Sequence, residues 1–232
     1  MNIKDITKQF LSQVGYHEKK SNKDLYTDKN NGNKNFTKYA DIVKNTDLLN
    51  GNKQGAAWCA VFIIANFYVL FGEEKTHKIL NIPKNSAAAG CPFLYQYVKN
   101  VYSPKEGYLI FFGSGKPSHV GYVYKVDDNK VYTIEGNTDN KVKKHSYNLG
   151  SNKIFGYGRP DYSYIADDIY NEINTYKVKA LSGLRVRRAP NTNCDTISVL
   201  KFGSTIKGKK YNESWIEVEN GYCYAKWLEV IK

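Results

Sequence analysis

Three side chains in the sequence, a cysteine, a histidine and a carboxylate, could together perform nucleophilic chemistry. Cys59 lies in GAAWCAVFII, at the expected start of a helix and directly after a loop that contains glycine. At such a position the helix dipole and the free backbone N–H groups favour the thiolate form of a cysteine. The same N–H groups can stabilise the oxyanion of a tetrahedral intermediate. Cys59 therefore has the setting of a nucleophile.

A base and its orienting groups follow on an expected β-hairpin. His119 begins a strand in PSHVGYV, and Glu135 and Asn137 lie near the end of the partner strand in TIEGNT. Side chains two residues apart on a strand point to the same face, so we expect Glu135 and Asn137 both to project beside His119. One of them can then fix the imidazole tautomer by accepting its Nδ1–H.

Each of these residues also has an ordinary structural interpretation. A single buried cysteine is usually a small core hydrophobe, and a single histidine on a strand usually serves the fold. The order and the neighbours of the three together favour catalysis. Cys91, in AAAGCPF, also stands at an expected helix start and could be a thiol of low pKa. No histidine-containing motif in the sequence matches Cys91 as a catalytic partner, so we predict a packing role for Cys91.

The hydrophobic pattern predicts the elements that position these residues. Helical spacing predicts helices over about 2–14 and 57–71, the second ending at Gly72, and a third helix with Pro92 in its first turn. Five strands are expected after the helices, at 108–112, 119–126, 131–137, 143–149 and 153–159. Helices followed by antiparallel strands indicate an α+β domain.

The rest of the chain has a different pattern. Residues 163–173 are expected to form a linker, and from Asn174 onward short strands alternate with turns. This spacing is typical of a small all-β barrel.

The first 162 residues resemble a known family. The motifs WCA, SHVGYV, IEGN and FGYGRP, in this order and spacing, resemble those of the CHAP domain. The CHAP domain is a cysteine- and histidine-dependent amidohydrolase/peptidase with a papain-like fold. The resemblance implies Cys59 as nucleophile, His119 as general base and acid, Glu135 as orienting group and Asn137 as an assisting polar residue. The related NlpC/P60 hydrolases usually have a second histidine where Glu135 stands, which favours the CHAP interpretation.

Residues 174–232 resemble the bacterial SH3 (SH3b) domain. The resemblance is carried by the words GLRVRRAPN, VLKFGSTIKGKK and WIEVENGYCYAKWLEVI. It implies binding of peptidoglycan cross-bridges, stem peptides or associated polymers. An aromatic platform could comprise Trp215, Tyr222, Tyr224 and Trp227, although for the two tryptophans we expect a place in the barrel core.

Two residues near the nucleophile complete the candidate substrate site. Gln54 could supply a side-chain oxyanion donor, or could simply satisfy a polar turn. Trp58 is expected to pack under Cys59 and to fix its helix.

The composition of the chain limits the classes of molecule that the protein is expected to bind. The chain has 232 residues, 41% of them hydrophobic, and a net charge of +12, which favours contact with a polyanion such as a teichoic acid. The lysines form no long basic arm, so a nucleic-acid partner is not expected. The longest apolar run, 56–71, is shorter than the roughly 20 residues needed to cross a bilayer, so no membrane partner is expected either. The four cysteines form no CxxC pair and are expected to be free thiols, with no zinc site.

Together these features predict a peptidoglycan hydrolase, either an N-acetylmuramoyl-L-alanine amidase or an endopeptidase of the stem peptide or cross-bridge. The N-terminus lacks the pattern of a signal peptide. We therefore expect a phage endolysin made in the cytoplasm of a Gram-positive host and released to its wall. The alternatives are a bacterial autolysin, a non-catalytic wall-binding protein and a polyanion-binding protein. No cofactor is required, although Asp24 and Asp28, in a loop rich in oxygen ligands, could hold calcium.

Overall fold

A computed structural model describes residues 2–165, 173–212 and 214–231 of the chain. The chain divides into two compact units, Asn2–Tyr164 and the residues from Ile165 onward. Most of the expected linker at 163–173 lies outside the described residues, so the boundaries expected for the two domains stay predictions.

Four helices belong to the first unit: α1 (Ile3–Leu11), α2 (Lys38–Ile42), α3 (Cys59–Leu80) and α4 (Cys91–Tyr97). The helix α1 begins at a reciprocal cap, in which the Asn2 side chain accepts from the backbone of Asp5 and the Asp5 carboxylate accepts from the backbone of Asn2. The described residues contain no helix with the length and apolar character needed to span a membrane.

The long helix α3 confirms the helix expected at 57–71 and continues past Gly72, where the helical conformation is interrupted. Gly72 has φ 71° and ψ 179°, so the helical conformation is interrupted there, and the chain then resumes helix up to Leu80. The helix α4 has Pro92 in its first turn, as expected. It ends at Tyr97, because residues 99–101 leave the helix to pair as a strand.

A six-stranded antiparallel sheet follows the helices, in the order β1-β6-β2-β3-β4-β5. Its strands are β1 (Lys99–Val101), β2 (Leu109–Phe112), β3 (His119–Val126), β4 (Lys130–Thr138), β5 (Lys141–Asn148) and β6 (Ile154–Arg159). Five of these strands match the sequence prediction within two residues at each end. The sixth, β1, was missed because its sequence continues the apolar pattern of α4.

The helix α3 packs against the middle of this sheet. Its buried face meets the stacked rings of Phe10 and Tyr122, whose centroids lie 4.0 Å apart. The helix approaches β4 so closely that a Cβ on Gly136 would lie 2.7 Å from the ring carbon Cγ of Phe62. Glycine at this position therefore allows the start of α3, with Cys59, to lie beside the end of β4. The mixture of helices and an antiparallel sheet agrees with the expected α+β class.

The second unit is a seven-stranded antiparallel sheet in the order β13-β7-β10-β11-β12-β8-β9. Its strands are β7 (Ile173–Val178), β8 (Leu184–Arg187), β9 (Thr196–Leu200), β10 (Thr205–Lys210), β11 (Trp215–Val218), β12 (Gly221–Tyr224) and β13 (Leu228–Ile231). Alternate residues of these strands form one apolar core, which includes Val178, Val186 and Cys223. The short strands were expected from the sequence, and the SH3-like closure of the sheet stays a prediction.

Candidate active site

Cys59 is the first residue of α3 and is 5% exposed. The residue before it, Trp58, occupies the N-cap position without making a side-chain cap hydrogen bond. The N–H groups of a first helical turn have no partners within the helix, so those beside Cys59 are placed to bind an oxyanion. The sequence prediction of a helix start at this cysteine is confirmed.

His119 lies between Cys59 and Glu135. Its Nε2 is 2.9 Å from Oε2 of Glu135, and its interaction with Cys59 lowers the pKa of that thiol. The sequence prediction that Glu135 or Asn137 would accept from Nδ1–H is wrong in its choice of nitrogen, because Glu135 bonds to Nε2. Glu135 reaches the tip of the ring, where Nε2 lies.

The carboxylate of Glu135 is only 2% exposed, and three hydrogen bonds hold it in place. Besides the bond to His119, its Oε1 accepts from the Thr133 hydroxyl at 2.5 Å and its Oε2 accepts from the Tyr147 hydroxyl at 3.4 Å. Neither hydroxyl was predicted from the sequence. The two-residue spacing of Thr133 and Glu135 on one strand could have identified Thr133, whereas Tyr147 comes from the neighbouring strand β5.

The strand β3 makes room for this carboxylate with a glycine. A Cβ on Gly121 would lie 2.7 Å from Cγ of Glu135. This is closer than two carbon atoms can approach without displacement. The glycine in SHVGYV therefore lets the Glu135 side chain lie across the backbone of β3 and reach His119.

The electrostatics of the site favour an ion pair. A hydrogen bond from Cys91, followed by the contacts with His119, holds the pKa of Cys59 well below its ordinary value in spite of burial. Burial alone would lower the pKa of His119, but the hydrogen bonds with Cys59 and Glu135 outweigh it and raise that pKa to about 9. At neutral pH the pair is therefore a thiolate and an imidazolium.

Cys91 is the neighbour that sequence reasoning did not place. It is the first residue of α4, and its sulfur lies 3.4 Å from that of Cys59. The alternative of a low-pKa thiol is wrong, because the hydrogen bond with Cys59 and burial raise the pKa of Cys91. Cys91 thus stays a thiol and donates to the Cys59 thiolate. No local pattern could reveal a contact between residues 32 positions apart.

Asn137 departs from the expected geometry. The pairing of β4 with β5 shifts between Glu135 and Thr138, and Asn137 has φ 61°. This bulge ends the strict alternation of side chains, so the rule that predicted a shared face for Asn137 and Glu135 no longer applies there. Within the described residues no hydrogen bond joins the Asn137 side chain to His119, and its assisting role stays a prediction.

Gln54 and Trp58 both support the loop before α3. The Gln54 amide accepts from the backbone N–H of Thr37 and donates to its carbonyl, each at 2.8 Å. Trp58 is fully buried, and its indole N–H donates to the buried carboxylate of Glu18 at 2.7 Å. The packing role expected for Trp58 is confirmed. Its inclusion among the substrate-binding residues needs correction, because a fully buried side chain cannot touch a substrate.

The aromatic candidates of the second unit differ in exposure. Trp215 is buried at 6%, Tyr222 and Tyr224 are half-buried, and Trp227 is 43% exposed. The core position expected for Trp215 is confirmed, which removes its ring from an exposed platform. The same expectation for Trp227 is wrong, because Trp227 lies in a short 3₁₀ turn before β13 and its ring faces outward.

One group of described side chains has the composition of a metal site. Asp47, Glu73 and His77 place their potential ligand atoms within 4.8 Å of one another. Lys84 already pairs with Asp47 at 3.1 Å, so this group is arranged as an ion-pair cluster. Asp24 and Asp28 belong to no such group of three among the described residues, and their calcium role stays a prediction.

A thiolate at a helix start, an imidazolium and a buried carboxylate are the arrangement that cysteine hydrolases use. A comparison with protein families identifies the same segment: residues 51–137 match the family described as the CHAP domain. This match includes Cys59, His119, Glu135 and Asn137. Among curated proteins, none matches the sequence.

Solved structures give weaker similarity. The crystal structure of Ly7917 is 16% identical, with a TM-score of 0.42 over 96% of this chain and 86% of that chain. A second structure of Ly7917, with the hydrolyzing product of MDP, is 15% identical with the same TM-score and coverage. NlpC2 from Trichomonas vaginalis is 8% identical, with a TM-score of 0.22 over 56% of this chain and 46% of that chain. At these scores the three structures do not bear on the function of this chain.

Proposed function

We propose that the protein is a peptidoglycan hydrolase that cleaves an amide bond of the bacterial cell wall by cysteine catalysis. The observation that carries this proposal is that one imidazole, that of His119, bonds to Glu135 at 2.9 Å and lowers the pKa of Cys59 at the start of α3. The match of residues 51–137 to the CHAP domain supports the wall as substrate.

The reaction follows from the protonation states of the pair. The Cys59 thiolate attacks the carbonyl carbon, and the N–H groups at the start of α3 bind the oxyanion. His119 donates its proton to the departing amine, which leaves a thioester on Cys59. The now neutral His119 takes a proton from water, which attacks the thioester and releases the carboxylate product. Glu135 stabilises the imidazolium in each step in which His119 carries the proton, and no cofactor takes part.

Our preferred bond is the one between muramic acid and L-alanine, which makes the enzyme an N-acetylmuramoyl-L-alanine amidase. The alternative is an endopeptidase of the stem peptide or cross-bridge. Mass spectrometry of digested Gram-positive walls separates these activities. Muramic acid that has lost its peptide identifies an amidase, and new amino termini within the peptides identify an endopeptidase.

The decisive variant for catalysis is Cys59→Ala, with Cys194→Ala as the matched control. Cys194 lies in the second unit, where its thiol bonds to backbone carbonyls of its own loop. We expect Cys59→Ala to lose wall hydrolysis and Cys194→Ala to retain it. A Cys59→Ala protein that still clears wall suspensions would instead support the non-catalytic wall-binding alternative. A chelator added to the wild type tests the calcium expectation for Asp24 and Asp28, and our proposal expects unchanged activity.

The second unit is proposed to hold the enzyme on the wall in the manner of an SH3b domain. It has a groove of about 760 Å³, whose lining includes Arg185, Arg187, Tyr224 and Trp227. Guanidinium groups beside aromatic rings suit a polymer that carries both carboxylate or phosphate groups and apolar faces. The net charge of +12 adds long-range attraction to the teichoic acids of a Gram-positive wall.

The biological setting that we propose is a phage endolysin, which reaches the wall after the host membrane is opened. A gene beside it that encodes a small membrane protein would support this setting. Evidence of export by a growing bacterium would support the autolysin alternative.

A further inference from the structure

We propose that Cys59 and Cys91 form a reversible disulfide bond, so that Cys91 is a resolving thiol that switches the active site off under oxidising conditions. The two sulfurs lie 3.4 Å apart, and both residues are free cysteines in the reduced protein. The inference rests on the proposed function only for its effect on hydrolysis, because formation of the bond is a separate property of the chain.

The geometry requires little movement. A disulfide needs a sulfur–sulfur distance of about 2.0 Å, so the two atoms must approach by about 1.4 Å. Each cysteine is the first residue of a helix, Cys59 of α3 and Cys91 of α4, and each adjoins a loop. Side-chain rotation and a small shift at the helix starts can therefore supply the approach without unfolding either helix.

The chemistry requires a small-molecule disulfide as oxidant, such as oxidised glutathione. The Cys59 thiolate attacks one sulfur of this oxidant, which forms a mixed disulfide on Cys59 and releases one thiolate. Cys91 then gives its proton to that thiolate and attacks the Cys59 sulfur, which forms the Cys59–Cys91 bond and releases the second small molecule as a thiolate. The protein loses two electrons and the Cys91 proton, and the oxidant is reduced to two thiols once the second thiolate takes a proton from water.

The charges of the reduced site favour this order of events. Cys59 is the thiolate and therefore the attacking group, whereas Cys91 is held as a thiol by the hydrogen bond with Cys59 and by burial. When Cys59 becomes a mixed disulfide, its negative charge disappears and the hydrogen bond to a thiolate is lost. The main cause of the raised pKa of Cys91 is then removed, and Cys91 can ionise and resolve the intermediate.

The test treats the reduced full-length protein with oxidised glutathione, blocks remaining thiols with an alkylating agent and measures the mass. Cys59 and Cys91 belong to different tryptic peptides, 54–75 and 85–99, so a bond between them is identified directly. The variants are Cys91→Ser, which removes the resolving thiol, and Cys194→Ser as the matched control. Hydrolysis is measured before oxidation, after oxidation and after addition of a reductant.

We expect the wild type and Cys194→Ser to lose the mass of two hydrogens and to yield the linked peptides. Their hydrolysis should fall in proportion to the linked fraction and return with reductant. Cys91→Ser should instead retain one glutathione on Cys59. Accumulation of that adduct in the wild type, or unmodified thiols after oxidation, would overturn the proposal. If the reduced protein shows no hydrolysis, the proposed function fails while the mass result still decides the disulfide.

Discussion

Among the described residues, the buried polar and charged side chains all belong to the first unit, and the second unit buries an apolar set. In the first unit the carboxylates of Glu18 and Glu135 are almost completely removed from solvent, at 0% and 2% exposure. Both units expose some large apolar side chains, among them Val69 and Phe93 in the first unit and Phe202 at 56% and Trp227 at 43% in the second.

The buried polar groups of the first unit suit a catalytic role, and their absence among the described residues of the second unit suits a binding role. A buried polar group costs about 1–3 kcal/mol when it lacks a partner, so it is retained only where hydrogen bonds satisfy it. Glu135 accepts from His119, Thr133 and Tyr147, and Glu18 accepts from Trp58 and from the backbone of Asn35. These bonds fix the base and the start of α3 before a substrate arrives, which is what electrostatic preorganisation requires.

The second unit has no comparable need for fixed charges. An apolar core holds its sheet, and aromatic rings and guanidinium groups on its surface line a groove that can contact an extended polymer. The comparison predicts that substitutions in the first unit act on the rate and pH dependence of hydrolysis. Substitutions on the outside of the second unit should act on wall binding.

The largest effect is expected for His119→Ala. Without the imidazole, Cys59 loses the partner that holds its charge, and the departing amine loses its proton donor. We expect the rate of hydrolysis to fall by about 10³-fold. The measurement is the initial rate of wall clearance at neutral pH, with thermal unfolding as the control for folding. A variant that folds and retains a tenth or more of the rate would remove His119 from the mechanism.

A smaller loss with a distinct pH signature is expected for Glu135→Gln. The neutral amide no longer favours the imidazolium, so we expect the rate to fall by about 100-fold. In the wild type the active ion pair is lost as the pH rises through the pKa of His119, at about 9. The variant lowers that pKa, so the alkaline limb of the pH–rate profile should move to lower pH. If the two profiles have the same alkaline limb, Glu135 does not act through His119.

A still smaller effect is expected for Gly121→Ala. The added Cβ would lie 2.7 Å from Cγ of Glu135 and would push the carboxylate away from His119. We expect a fall in rate of about 10-fold and a loss of about 1–3 kcal/mol in the free energy of unfolding. The matched control is Gly150→Ala, since a Cβ there has no neighbour within 4 Å. Equal rates for the two variants would show that the space over Gly121 is not needed to position Glu135.

Local patterns were sufficient to predict most of this architecture. Hydrophobic spacing, glycine positions and the order of the sequence motifs predicted the start of α3 at Cys59. They also predicted the strands that contain His119 and Glu135. What the sequence could not provide depends on atoms that tertiary structure brings together. The contact between Cys59 and Cys91 joins two helix starts, and the choice of Nε2 depends on the position of Glu135 across the hairpin.

The departures from regular geometry at Asn137 and Trp227 are related. The alternation rule assumes a regular strand, and the register shift after Glu135 removes that condition just before Asn137. The prediction of a core tryptophan assumed that Trp227 lies on a strand, whereas the short 3₁₀ turn Ala225–Trp227 carries it outward. In both cases a local departure from regular geometry lies at a candidate site, and hydrophobic periodicity does not record such departures.

The smallest effect on catalysis is expected for Trp227→Ala, which tests the other side of the comparison. Because the ring is exposed and lines the groove beside Arg185, its loss should weaken wall binding a few-fold, by about 1 kcal/mol. Hydrolysis of soluble wall fragments should stay unchanged, because the reacting groups all lie in the first unit. The matched control is Trp215→Ala, whose buried ring should cost about 3 kcal/mol or more of stability. Sedimentation with walls measures the binding. If the Trp227→Ala protein binds walls normally, Trp227 is not part of the contact surface. Either another surface of the second unit binds the wall, or net charge alone does. In the second case, added salt should abolish the binding of the wild type and of the Trp227→Ala protein equally.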